Sequence, residues 1–144
     1  MEARRELGIN QSATAVWQHV ANVSEWIQWN GAIRAMKRTF GSQDDIWMIR
    51  LTGVGWVTVA IHADDQNRRL CYRMTGKGAI ELGQLTVCSE GNTTCRVDYR
   101  VRYGGWAAWW RPLRHTVAWR LMRLKEWSET GQIRNRWSLE TFQR

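Results

Sequence analysis

Between Thr94 and Tyr103 the chain alternates without a break: Cys95, Val97, Tyr99, Val101 and Tyr103 share one parity, and Thr94, Arg96, Asp98, Arg100 and Arg102 share the other. Successive side chains of a strand point to opposite faces, so this run has one apolar face to cover and one charged face for water. It belongs in an antiparallel sheet with a single buried side. Gly104-Gly105 ends the strand, and from about Trp109 to Gly131 the apolar spacing changes to three and four. Trp110, Leu113, Val117, Leu121, Leu124 and Ser128 then form one stripe of a long helix, which can lie on a curved sheet.

Upstream, further extended runs read as strands over 3–9, 32–40, 46–52, 56–63, 69–75 and 79–89, with 93–103 the last of seven. Turn chemistry separates them at Gly41 to Asp45, Gly53 to Gly55, Asp64 to Asn67, Gly76 to Gly78 and Glu90 to Asn92. Between the first two strands, INQSATAVWQHVANVSEWIQWNGAIRAMKR departs from the alternation. Ser12 or Thr14 can cap a helix whose apolar face starts at Val16 and Trp17, and Ser24 can cap a second short helix carrying Trp26 and Trp29. Beyond Gly131, a suitable helix stop, the tail to Arg144 is polar except for Ile133, Trp137, Leu139 and Phe142, and is either frayed or folded back. No linker, repeat or low-complexity tract interrupts the 144 residues, which read as one domain ending in a tail of about ten residues.

A chain of this length buries roughly 68–70% of its unfolded surface without metal or disulfide help. No apolar run approaches the ~20 residues of a membrane span, and MEARREL has no apolar core of a signal peptide, so a soluble cytoplasmic protein is expected. Cys71, Cys88 and Cys95 have no CxxC spacing and fit reduced, packed thiols. The net charge of +8 suits an anionic partner, but the arginines are scattered rather than run together. A solvated basic surface with no nucleic acid bound is expected. Eleven tryptophans build either a stiff core or an aromatic-lined cavity.

The order strand, two small helices, six antiparallel strands and a long C-terminal helix, together with Val16-Trp17, Trp26-Ile27-Gln28-Trp29 and the GNTTCRVDYRV hairpin, resembles the SRPBCC superfamily over about Ala3 to Gly131. That superfamily includes START-type lipid carriers, the polyketide cyclase/dehydrase group and the Bet v 1-like proteins. The resemblance implies an α+β helix-grip fold: a seven-stranded curved antiparallel sheet wrapped around the long helix, two short helices after strand 1, and a deep apolar cavity between sheet and helix. It also implies a hydrophobic or aromatic small-molecule ligand. One helix laid into a concave sheet leaves space of its own accord, and aromatic-lined pockets of ~300–1,000 Å³ are typical ligand sites.

The candidate proton-moving residues are Tyr99 and Tyr103 on the last strand, Tyr72 on the fifth, Glu81 on the sixth and His62 on the fourth. The phenols can hydrogen-bond a ligand carbonyl, act as general acids or simply line the wall. Glu81 shares the parity of Leu85 and Val87, where burial makes it a usable proton donor or acceptor, unless a bulge at Gly83 turns it outward. His62 shares its face with Trp56 and Thr58 and is expected to reach the cavity. Trp29, Trp47, Trp56, Met74, Val97, Leu113 and Val117 are the expected wall, with Arg50 and Arg34 at the mouth for a carboxylate or phosphate or else solvated. Asp98 among Arg96, Arg100 and Arg102 reads as an exposed ion-pair ladder, and His19 and His115 as surface residues. Trp119 and Met122 fall on the outer side of the long helix, a surface for a dimer, another partner or the tail. A monomer or homodimer fits equally. No metal spacing, nucleophile elbow or phosphate loop is present, so no metal and no cofactor are expected.

The leading expectation is a cofactor-independent enzyme of the cyclase/dehydratase type, a lyase or isomerase that cyclises, dehydrates or isomerises a polyketide-like intermediate. A non-catalytic carrier or sensor of a lipid or quinone is the alternative, and a module docking through its basic exterior a third. The first predicts inward polar groups with perturbed ionisation, the second an almost wholly apolar cavity, the third a filled interior.

Overall fold

The computed structural model describes residues 1–39, 45–105 and 113–133. Strand β1 (Glu2–Ile9) leads to Ser12, whose hydroxyl accepts from the Ala15 amide at 3.2 Å and so starts helix α1 (Ala13–Ala21). A single 3-10 turn, Val23–Glu25, runs straight into the four-residue helix α2 (Trp26–Trp29). Ser24 does not cap it. Its hydroxyl donates to Asn22 Oδ1 at 2.7 Å instead, because the turn before α2 leaves no open helix start for it.

Six strands follow: β2 (Ile33–Thr39), β3 (Asp45–Leu51), β4 (Gly55–Asp64), β5 (Arg69–Gly76), β6 (Ala79–Ser89) and β7 (Cys95–Gly104). They form one antiparallel sheet in the order β1-β7-β6-β5-β4-β3-β2, and helix α3 (Leu113–Thr130) packs chiefly on β1 and β7. This is the helix-grip arrangement. The alternation decides it locally: Val57, Val59 and Ile61 on β4, Leu70 and Tyr72 on β5, Leu85 and Val87 on β6 and the odd positions of β7 are all buried on the inner face. The β5–β6 and β6–β7 registers run without a shift, so no bulge interrupts β6 at Gly83 and Glu81 stays inward.

On α3 the expected stripe is buried at Val117, Leu121, Leu124 and Ser128. Trp110 and the tail from residue 134 lie outside the described residues, as does the side chain of Leu113. Trp119 is buried and Met122 half-buried, so this side of α3 is covered within the chain rather than left open for a partner. Cys95 is packed, with burial pushing its thiol up, whereas Cys88 is exposed, contrary to expectation, because its position in β6 is outward. Among the described residues no helix is long and apolar enough to cross a membrane.

Candidate functional site: a cavity backed by a tyrosine, glutamate and arginine cluster

Between the sheet and the helices lies a small cavity. Helix α2 supplies Trp26 and Trp29, followed by Asn30; β3 supplies Ile49 and Leu51; β5 supplies Tyr72 and Met74; Tyr99 comes from β7, and Arg120, Leu121 and Leu124 from α3. The space open to a water-sized sphere is about 40 Å³, inside a looser envelope of about 540 Å³ that runs toward solvent. The deep pocket expected from the fold is therefore narrowed, because Trp26 and Trp29 are themselves buried in it with their rings 6.4 Å apart. The indoles fill much of the hollow without plugging it.

One wall is polar. Tyr72 donates its hydroxyl proton to Glu81 Oε2 at 2.5 Å, and the Tyr99 hydroxyl is in hydrogen-bond contact with that of Tyr72. Tyr72 has only one proton and it goes to Glu81, so Tyr99 is the donor in that pair. Arg120 Nη1 points at all three, 2.8 Å from Glu81 Oε2, 2.9 Å from the Tyr99 oxygen and 3.2 Å from that of Tyr72. A line of hydrogen bonds thus runs from the cavity-lining Tyr99 through Tyr72 to a carboxylate that is only 1% exposed.

Gly83 makes this possible. It lies directly across from Tyr72, and a methyl group built there would come within 2.1 Å of the tyrosine ring. Without a side chain at 83 the ring lies against the β6 backbone, and Trp26 holds it edge-on from the other side at 6.2 Å.

Burial raises the Tyr72 phenol well above its ordinary value, with the neighbouring Tyr99 and Glu81 adding to the rise and Arg120 opposing it. Burial likewise raises Tyr99, against the pull of Arg120. Both phenols are therefore neutral donors at ordinary pH. Burial opposes the charge on Arg120, but Glu81 and the two phenols outweigh it and hold the guanidinium charged. Two lining N–H groups, Trp29 Nε1 and Arg120 Nε, have no partner among the described residues. Asn30 Oδ1 is taken by the Ala32 amide at 3.2 Å, so its amide nitrogen is the group left to offer.

Tyr72, Glu81 and Tyr99 come together as one cluster, and Trp29 and Met74 line the cavity beside it. Tyr103 is buried on the same face, across from Glu81, but does not line the cavity. Val97 is a core residue outside the cavity wall, and Val117 is buried beside Ala3 and Arg5 near β1. Trp47 is half-buried on the inner face outside the cavity, its N–H on Asp45 at 2.9 Å and Arg38 at 5.8 Å from its ring.

His62, Trp56 and Arg50 correct the expectation. All three are exposed on the outer face, because the buried Val57, Val59 and Ile61 commit the even positions of β4 to solvent and the buried Ile49 and Leu51 do the same on β3. Trp56 there lies 5.2 Å from Lys37 Nζ and 5.9 Å from Arg50 Cζ. Arg34 is exposed and donates to Thr52 Oγ1 at 2.9 Å. His19 is half-buried, 2.7 Å from Glu25, whereas His115 is exposed.

Arg120 was not anticipated, though a signal existed. It stands three residues after Val117 and four before Leu124, inside the apolar stripe, where a charge must find a partner. Trp26, Asn30 and Ile49 carried no comparable mark of a cavity wall. Among the described residues no group of three His, Cys, Asp or Glu side chains gathers to hold a metal.

A helix gripped by a seven-stranded antiparallel sheet over an internal cavity defines the class: a ligand-binding protein of the SRPBCC superfamily. Residues 2–125 match the family described as polyketide cyclase / dehydrase and lipid transport, and the chain belongs to that family. No curated protein matches the sequence. Among solved structures, norcoclaurine synthase from Thalictrum flavum superposes with a TM-score of 0.70 at 13% identity, over 89% of this chain and 93% of that one. The ZhuI aromatase/cyclase from Streptomyces sp. R1128 gives 0.66 at 12% identity, over 73% and 68%. The di-domain aromatase/cyclase BexL of the BE-7585A biosynthetic pathway gives 0.73 at 19% identity, over 88% of this chain and 45% of that protein. At such identities the likeness concerns the fold.

Proposed function

We propose that the protein is a cofactor-independent enzyme that binds a small hydrophobic carbonyl compound, polyketide-like or aromatic, and moves a proton within it to promote cyclisation, dehydration or isomerisation. The observation that carries this reading is the hydrogen-bonded line from Tyr99 through Tyr72 to the buried Glu81, ending an otherwise apolar cavity. A pocket that only stored a hydrophobe would gain nothing from burying three ionisable groups beside it.

The chemistry follows from the line. A proton released by a carbon acid in the cavity passes to the Tyr99 oxygen as Tyr99 hands its own to Tyr72 and Tyr72 hands its own to Glu81. Reversal delivers a proton to a departing hydroxyl, so the enzyme ends unchanged. The unpartnered N–H groups of Trp29 and Arg120 suit a carbonyl oxygen that gains negative charge meanwhile. Apolar walls hold the chain and exclude water, and a ligand larger than a few ring atoms enters only if Trp26 and Trp29 move.

The test begins with native mass spectrometry of protein from its own producer, which is expected to show a co-purifying small hydrophobe with a carbonyl group. Turnover of that compound should fall about 10²–10⁴-fold in Tyr99→Phe while binding persists. A ligand bound but returned unaltered by the wild type would leave the carrier reading in its place.

A further inference from the structure

The outer face of the sheet, opposite the cavity, holds a second concavity, an open groove of about 630 Å³. Ala60, Cys71, Leu82 and Gln84 make its floor, and Arg73, Arg100 and Arg102 rise from it. The register explains the convergence. Arg73 on β5 pairs with Leu82 on β6, and Leu82 with Arg102 on β7, so the two arginines flank one leucine with Cα atoms about 10 Å apart at ~4.8 Å per strand. Arg100 stands on the same face two residues earlier, across from Gln84.

Among the described residues the guanidinium groups of Arg73 and Arg102 form no ion pair or hydrogen bond. Arg100 reaches Asp98 only at 3.5 Å, and that carboxylate is already held at 3.0 and 2.9 Å by the fork of Arg4. Glu2 stands across from Arg102 at the rim without pairing to it. Like charges gathered on one face across an intervening strand repel, and an oxyanion between them removes that cost. Guanidinium forks match phosphate oxygens two at a time, while Leu82, 42% exposed, offers apolar contact to whatever carries the anion. We infer that this groove is a binding site for a phosphate-type oxyanion, supplied by a free organic phosphate or by a lipid headgroup. The inference is independent of the cavity and its chemistry.

Titration calorimetry of the whole protein with inorganic pyrophosphate, and flotation with phosphatidylcholine vesicles with or without phosphatidic acid, test it. Saturable binding is expected, weakened about tenfold or more in R73Q/R102Q. R96Q, whose arginine is already paired to Glu90, should shift it less than about twofold. Pyrophosphate binding identifies a free phosphate as sufficient, and binding only to phosphatidic acid vesicles, reduced in L82A, identifies a headgroup. The inference fails if neither probe saturates, or if R73Q/R102Q binds as the wild type does or loses no more than R96Q, with circular dichroism showing each variant folded.

Discussion

The pairing of Arg120 with Glu81 is the residue-scale feature on which the site rests. Two charges withdrawn from water are tolerated because one guanidinium nitrogen meets the carboxylate and both phenols at once. Removing one partner alone strands the other, so Arg120→Met should lower stability by about 3–5 kcal/mol, measured by urea denaturation. The double variant Arg120→Met, Glu81→Leu should recover a large part of that loss; an additive loss would show that the pair is not coupled. Gly83 allows a separate check. Gly83→Ala should displace the Tyr72 ring and cost about 1–3 kcal/mol, and turnover should drop with it. Unchanged turnover would mean the Tyr72 position is not used.

At the scale of elements, the segment from Val23 to Trp29 is the part of the wall least supported by its own secondary structure. It is one 3-10 turn and four helical residues, tied down by Glu25, which receives the Trp127 indole and contacts His19, and by Trp26 Nε1 on the Val20 carbonyl at 2.9 Å. Trp29→Ala should therefore enlarge the cavity, costing about 3–5 kcal/mol, and should strengthen binding of a bulky fluorescent hydrophobe read by its emission. A wall that collapsed instead would show little gain in emission. This segment was legible as helical from Trp26 and Trp29, but not as the filler of the hollow, since periodicity says which residues are buried and not what they are buried against. β4 shows the opposite case: the apolar, β-branched parity of Val57, Val59 and Ile61 faces in, and the face shared by Trp56, Thr58 and His62, expected to reach the cavity, faces out. Arg120 was readable as a charge inside the α3 stripe and Glu81 as an inward carboxyl on β6, whereas their pairing was not, because no local pattern joins residues 39 positions apart.

For the whole molecule, the buried phenols tie stability to alkali. In the unfolded chain Tyr72 and Tyr99 ionise near pH ~10, while in the fold burial holds both above that. Between those values the unfolded state binds fewer protons, so stability is fully present below about pH 10 and is lost above it, by up to ~1.4 kcal/mol per pH unit for each tyrosine. Thermal melts should be flat from neutral pH to about 9 and fall beyond 10, and Tyr72→Phe with Tyr99→Phe should flatten the fall. An equal fall in the double variant would assign the effect elsewhere. By itself the sequence determined the seven extended runs, the inner and outer parities of β5, β6 and β7 and the amphipathic helix, because strand and helix periods are set by local backbone geometry. Only the tertiary structure decided that Tyr99, Tyr72, Glu81 and Arg120 meet, that two indoles occupy the hollow, and that Arg73, Arg100 and Arg102 gather outside. Such meetings depend on the register between strands and on the placement of one helix across them, which long-range packing sets.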